Sequence, residues 1–179
     1  MTQLQQAYAQ GLYTLAQEEN LTEQIMAQLS ALEETVGQDR EYLQLLSTPA
    51  LSKEERCNLL DQAFRDKVHI YVLNFMKILT EKGYIGQFSG CCRAFRQQYN
   101  EDRGILPVRV VSAVKLTAAQ TERLRETLCK RTGKTVSLQC SVEPHVLGGI
   151  RLDYDGVRID GTVRSRLDAV SRLLQNTVL

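Results

Sequence analysis

The spacing of apolar residues changes once along this chain, and this change constrains the fold more than any other feature. Up to about residue 104, apolar side chains recur every three or four positions, as in helices with one buried side. After Pro107 they alternate with polar side chains, as in half-buried strands. Gly104 and Pro107 lie between the two patterns and favour the end of a helix. We therefore predict two domains, residues 1–104 and 105–179, which is reasonable for 179 residues.

The first domain is predicted to be a six-helix bundle. Pro49 ends the third helix, because the residue before a proline is pushed out of the helical region. Ser52 and Glu55 form a capping box that opens the fourth helix. The apolar positions are Leu4, Tyr8, Gly11, Leu12 and Leu15 on one side of the first helix; Ile25, Leu29, Leu32 and Val36 in the second; Tyr42, Leu45 and Leu46 in the third; Leu59, Leu60, Ala63 and Phe64 in the fourth; and Ile85, Phe88, Cys92, Phe95 and Tyr99 in the sixth.

The fifth helix carries more apolar residues than one buried stripe can use, because nine of the twelve residues 68–79 are apolar. The expected arrangement is a core line of Val68, Val72, Phe75 and Leu79, a flank of Tyr71 and Ile78, and Ile70 and Leu73 farther round the helix. Such a helix is either enclosed on all sides or shared between its own core and a partner. The pattern by itself leaves both interpretations open.

The second domain is predicted to be of βαβββα type. Thr117 and Gln120 form a capping box for its first helix, which Gly133 closes, and Asp155-Gly156 favours a type I′ hairpin turn between the third and fourth strands. The predicted inward positions are Val108, Val110 and Val114; Val136, Leu138, Cys140 and Val142; Ile150, Leu152 and Tyr154; and, in the last helix, Val163, Leu167, Val170 and Leu174.

The composition argues against an enzyme, a disulfide scaffold and a membrane-spanning protein. The two histidines, His69 and His145, lie near no cysteine or carboxylate at ligand spacing, so we predict no catalytic residues, no metal and no cofactor. The five cysteines contain no C-x-x-C pair, which suits reduced thiols, and Cys92 belongs to the core stripe of the sixth helix. The longest apolar run, residues 70–73, is far shorter than the roughly 18 residues of a membrane span.

Charge is divided unevenly along the chain. The first 104 residues carry 10 basic and 14 acidic side chains, a net charge of −4, and the last 75 carry 12 and 7, a net charge of +5. Two partners of different kinds would explain this, and so would ordinary solvated faces. The basic half leaves one alternative function, a nucleic-acid or regulatory binding module.

Residues 141–167 resemble the signature region of the F-type ATP synthase delta subunit, whose mitochondrial relative is the oligomycin sensitivity-conferring protein. The opening of the first helix, 8–13, and residues 74–83 are also similar to this family, so the resemblance covers nearly the whole length. The matching positions in the signature region include Gly148, Gly149, Ile150, Ile159, Asp160, Gly161, Thr162, Arg166 and Leu167. Gly11, Tyr13 and Tyr84 depart from the family's usual residues.

The resemblance implies a non-catalytic subunit of the peripheral stalk, or stator. Such a subunit links the catalytic head to the membrane sector and resists rotor torque during proton-driven ATP synthesis. Its helical domain would hold the N-terminal helix of the alpha subunit between its first and fifth helices, and its second domain would meet the C-terminal end of the b subunit. The candidate partner-binding residues are Tyr8, Gly11, Leu12, Tyr71, Asn74, Phe75 and Ile78. The signature residues Gly148, Gly149, Asp160, Gly161, Thr162, Arg166 and Leu167 are expected to be structural.

The same resemblance implies where the chain works. One copy per complex would lie at the cytoplasmic face of a bacterial cell membrane as a peripheral protein. Its contact with the membrane would be indirect, through the complex, and no nucleic acid would be involved.

Overall fold

The computed structural model describes residues 2–36, 39–48 and 51–165. Internal contacts divide the chain into two compact units, residues 1–99 and 100–179. The first is helical, and the second contains a small four-stranded sheet. Within the described ranges, no helix is long and apolar enough to cross a membrane.

Among the residues described in the first unit, six α-helices begin. Their bounds are α1 Gln3–Glu18, α2 Thr22–Thr35, α3 Arg40–Ser47, α4 Lys53–Phe64, α5 Ile70–Glu81 and α6 Phe88–Asp102, the last preceded by a 3-10 turn, Ile85–Gln87. The predicted capping box of α4 is confirmed, since the Ser52 side chain accepts from the Glu55 backbone N–H and the Glu55 carboxylate accepts from the Ser52 N–H. The end of α3 at Ser47, before Pro49, is confirmed as well.

The core of the first unit forms where the helices turn their apolar sides together. The stripe of α2 is confirmed, because Ile25, Leu29, Leu32 and Val36 are all buried. In α6 and the turn before it, the stripe is buried from Ile85 to Phe95, and Tyr99 packs at its edge. Phe95 meets Tyr13 edge-on, with 5.2 Å between the ring centroids, which ties α6 to α1.

Two helices use their faces differently from the sequence prediction. In α5, Leu73 was predicted farther round the helix than the core line, but it is 1% exposed and belongs to the core. In α1, the residues buried against the core are Gln5, Ala9, Leu12, Tyr13 and Ala16. The predicted stripe, which runs from Leu4 to Leu15, shares only Leu12 with that face, so its other positions were predicted wrongly.

In the described part of the second unit, the helix α7 packs on a sheet. Its elements are β1 Ile105–Ser112, α7 Ala118–Thr132, β2 Thr135–Val142, β3 Ile150–Tyr154 and β4 Val157–Asp160, with sheet order β2-β1-β3-β4. β1 pairs with β2 in parallel and with β3 antiparallel. Pro107 lies in the part of β1 that has β2 alone as its neighbour, which fits its missing N–H. Leu128 of α7 packs on Leu106, Val108 and Val136.

Several local predictions in this unit are confirmed. Thr117 and Gln120 form the capping box of α7, and Gly133 ends the helix with a φ of 68°. Asp155 and Gly156 both have positive φ, 48° and 75°, as a type I′ turn requires, and β3 and β4 are antiparallel.

Other predictions need correction. β1 ends at Ser112, whose Oγ donates to the Val114 carbonyl oxygen, so Val114 lies outside the strand and is 72% exposed. Val111, expected on the outer face, is fully buried. Cys140 and Val142 on β2 are exposed, although the first half of that strand buries its apolar face. Leu167, Val170 and Leu174 of the last predicted helix lie outside the described residues.

Candidate partner-binding groove

An apolar groove lies between α1 and α5 in the first unit. It encloses about 480 Å³, which is within the usual range for binding sites. The lining residues are Ala7, Tyr8, Gly11, Leu12, Leu15, Tyr71, Asn74, Phe75 and Ile78. None carries a charge, so the groove offers a surface to apolar side chains rather than to ions.

The groove has a buried floor and an open apolar rim. Leu12 from α1 and Phe75 from α5 are only 7% and 6% exposed and form the floor. Phe75 is backed by Phe88 at a ring distance of 6.5 Å. The rim contains Leu15, 42% exposed, and Ile78, 45% exposed. Because both side chains line the same cavity, its rim is apolar as well as its floor.

Packing explains why α5 leaves some of its apolar residues, such as Ile78, exposed. Successive residues of a helix point about 100° apart, and α5 buries Val72, Leu73, Met76 and Leu79 in its own core. The core therefore occupies most of the cylinder. Ile70 and Ile78 remain exposed, and Tyr71 packs at the edge of the core. The excess of apolar residues read from the sequence is thus located mainly at the groove.

Two aromatic side chains at the groove are held by neighbouring rings. Tyr8 packs edge-on against Tyr84 at 6.3 Å, and Tyr71 packs against His69 at 4.8 Å. His69 is also the N-cap of α5, and its Nδ1 accepts from the Tyr71 backbone N–H at 3.4 Å. The rings on both walls are therefore restrained before any partner arrives.

The structure brings together all seven candidate residues proposed from the sequence, namely Tyr8, Gly11, Leu12, Tyr71, Asn74, Phe75 and Ile78. It adds Ala7 and Leu15, which the candidate set omitted. Leu15 was detectable, because it lies on the same helical stripe as Tyr8 and Gly11. Ala7 gave no signal, since a small exposed residue fits any helix surface.

The family-like residues of the second unit meet at a junction between 148–150 and 160–163. The Gly161 N–H donates to the Ile150 carbonyl oxygen at 3.0 Å, and the Val163 N–H donates to the Gly148 carbonyl oxygen at 3.0 Å. Gly149 has a φ of 78°, and a Cβ there would collide with the Gly161 carbonyl oxygen and lie 2.9 Å from the Thr162 Cα. Glycine is therefore needed at 149 both for the backbone angle and for the close approach of the second segment.

The end of β4 is fixed by a pair of side-chain caps. The Asp160 carboxylate accepts from the Thr162 backbone N–H at 3.0 Å, and this bond holds the pKa of Asp160 below its usual value. The Thr162 hydroxyl, in a residue only 4% exposed, accepts from the Ser165 N–H at 3.1 Å. These contacts turn the chain out of the sheet. Arg166 and Leu167 lie outside the described residues.

The described residues contain no group of three or more side chains that could hold a metal ion. The thiols of Cys91 and Cys92 are buried, and burial raises the pKa of Cys91 to about 11 and that of Cys92 further. Thiols kept protonated in this way are poor nucleophiles and act as small core side chains. The prediction that Cys92 belongs to the core is confirmed.

Comparisons with known proteins agree with the fold and cover almost the whole chain. The family described as ATP synthase delta (OSCP) subunit matches residues 4–174. An ATP synthase subunit delta of Desulfitobacterium hafniense is 32% identical over 171 residues, covering 96% of each chain, and one of Lacticaseibacillus paracasei is 32% identical over 168 residues, covering 93% of this chain and 92% of its own. A chain of the Toxoplasma gondii mitochondrial ATP synthase hexamer has the same fold, with a TM-score of 0.76, 20% identity and coverage of 97% of this chain and 98% of that one. The chain therefore belongs to the ATP synthase delta (OSCP) subunit family.

Proposed function

We propose that the groove between α1 and α5 holds the amphipathic N-terminal helix of an ATP synthase alpha subunit. The chain is a delta subunit of the F-type ATP synthase, a non-catalytic component of the peripheral stalk. In the proposed arrangement, residues 1–104 form a six-helix bundle that binds the head. Residues 105–179 form a βαβββα domain that meets the C-terminal end of the b subunit.

One observation carries the proposal: the seven candidate residues that the family resemblance indicated surround one uncharged cavity with an apolar rim. A helix with apolar side chains at steps of three and four would cover Leu15 and Ile78 together. Covering apolar surface stabilises a complex by roughly 25 cal/mol per Å², before the costs of ordering and association are subtracted. The lack of charged lining residues favours a guest whose inward side is apolar.

The proposed work is mechanical. As the rotor turns, the head experiences torque, and a stator prevents the head from rotating with it. A rigid helical unit holding the alpha subunit, joined to a second unit held by the b subunit, would transmit that torque to the membrane sector. We place one copy in each complex, peripheral at the cytoplasmic face of a bacterial cell membrane and in contact with the membrane only through its partners.

The groove is tested by titrating the full chain with a peptide of the alpha-subunit N-terminal helix. In the double variant Gly11→Asp with Ile78→Asp, two carboxylates would lie against the apolar side of the peptide, and we expect affinity to fall by about a hundredfold or more. Unchanged affinity in a variant that keeps its circular dichroism spectrum would contradict the proposal.

Ile70→Asp provides the matched control. Ile70 is 53% exposed on the same helix as Ile78 but does not line the cavity. It lies in the first turn of α5, where an acidic residue is tolerated. We expect peptide affinity to stay within about twofold of the parent, because this substitution introduces the same charge outside the groove.

The nucleic-acid alternative has less support. Two arginines on the sheet surface pair with nearby carboxylates: Arg158 Nε lies 2.6 Å from Asp153 Oδ1, and Arg109 Nη2 lies 3.7 Å from Glu143 Oε1. Arg125 of α7 is paired with Glu122 at 2.6 Å. Basic side chains engaged in this way add little to phosphate binding.

A further inference from the structure

Gly11 lies in the interior of α1, and nothing in its own unit requires a glycine there. It is the ninth residue of a 16-residue helix. Its φ is not among the positive values, and a Cβ built on it would meet no atom within 4 Å. Gly90 differs, because a Cβ there would collide with the side chain of Gln5. A glycine in a helix interior weakens the helix relative to alanine, so Gly11 has a cost that the fold does not explain.

The position of Gly11 suggests an explanation outside the chain. It lines the α1 wall of the groove, with Ala7 one turn before it and Leu15 one turn after it. The larger side chains of Tyr8 and Leu15 therefore flank a stretch of wall with almost no side-chain volume. The distance between two packed helices depends on the side chains at their contact, and a residue without a side chain allows the closest approach.

We infer that Gly11 is a specificity-determining position, a notch that receives one large apolar side chain from the middle of the guest helix. This inference rests on the proposed function, because it names what the groove selects in the alpha-subunit helix. A guest with a small residue at that point would leave the notch unfilled and lose the contacts of its lining. A host with a side chain at position 11 would exclude the large residue.

The notch predicts opposite effects on stability and binding. In the full chain, Gly11→Ala is expected to raise the Tm of the helical unit by about 3 °C, since alanine favours the helix. The same variant should bind the alpha-subunit peptide about fivefold more weakly, and Gly11→Leu about a hundredfold more weakly, because the added atoms occupy the notch. A substitution that only damaged the fold would lower both the Tm and the affinity.

Gly86→Ala is the matched control. Gly86 is also exposed, has no positive φ and has no atom within 4 Å of a built Cβ, but it lies in the 3-10 turn outside the groove. We expect this variant to bind the peptide with the parent's affinity. A peptide whose large central apolar residue is replaced by alanine should bind the parent more weakly but should lose much less affinity toward Gly11→Leu, which gives a positive coupling in a double-mutant cycle.

The possible results distinguish the notch at Gly11 from the assignment of the groove. Binding of the parent peptide by Gly11→Leu within about twofold of the unsubstituted chain would overturn the notch and leave the groove assignment intact. Additive losses in the double-mutant cycle would also overturn the notch. Absence of binding by the unsubstituted chain would overturn the groove assignment and the notch together.

Discussion

The groove of the first unit and the junction of the second unit both depend on glycine, but for opposite reasons. At the junction, Gly149 is surrounded by backbone from residues 161 and 162, so its missing side chain is used within the molecule. In the groove, Gly11 faces open space next to apolar side chains that remain exposed. Gly149 of the family-like junction is therefore explained by contacts within its own unit, whereas Gly11 of α1 lies on an apolar surface that its own unit leaves exposed.

This contrast predicts that substitutions at the junction change stability, while substitutions in the groove change binding. Exposed groove positions such as Ile78 make few intramolecular contacts, and replacing them should alter the free energy of unfolding by no more than about 0.5 kcal/mol. Three measurements on the second unit test the first half of this prediction.

The largest effect is expected for Gly149→Ala. The new Cβ would combine an unfavourable positive φ with a collision against the backbone of Gly161, and we expect a loss of about 3 kcal/mol in the free energy of unfolding. Gly156→Ala is the control, because Gly156 has a similar φ of 75° but no atom within 4 Å. It should cost only about 1 kcal/mol. Equal losses in urea unfolding would show that backbone angle alone, not close approach, requires glycine at 149.

Gly161→Ala should have a smaller effect. Gly161 has no positive φ, and its added Cβ would lie 3.3 Å from the Ile150 carbonyl oxygen, so a shift of a few tenths of an ångström would relieve the contact. We expect a loss of about 1 kcal/mol in urea unfolding, below that of Gly149→Ala. An unaltered free energy of unfolding would contradict a structural role for the step from Asp160 to Thr162.

The smallest effect is expected in the pH dependence of stability. Asp160 accepts the Thr162 N–H, which lowers its pKa in the folded state, so its contribution to stability is present above the unfolded pKa near 4 and is lost as pH falls through the folded value. An NMR titration of the Asp160 carboxyl group in the full chain should give a midpoint below 3.8. A midpoint at or above 3.8 would show that the cap does not form in solution.

Many local elements could be predicted because their causes are local. The capping boxes at Ser52 and Thr117, the hairpin at Asp155-Gly156 and the helix end at Gly133 each depend on a few neighbouring residues. Val114 was misplaced because alternation continues past the point where Ser112 turns the chain away from the sheet. Val111 was misjudged for a different reason, since the sequence does not show that a side chain on the outer face of β1 is covered.

The sequence by itself determined that α5 carries more apolar surface than a single stripe, because helical spacing and composition are properties of the chain alone. Only the tertiary structure decided which of those residues remain outside. Leu73 turned inward and Ile78 stayed exposed because the neighbouring helices cover one part of the cylinder and leave the part facing α1 open. The same holds for the two glycines: the chain specifies where a side chain is missing, and packing decides whether the space is filled from within or left for a partner.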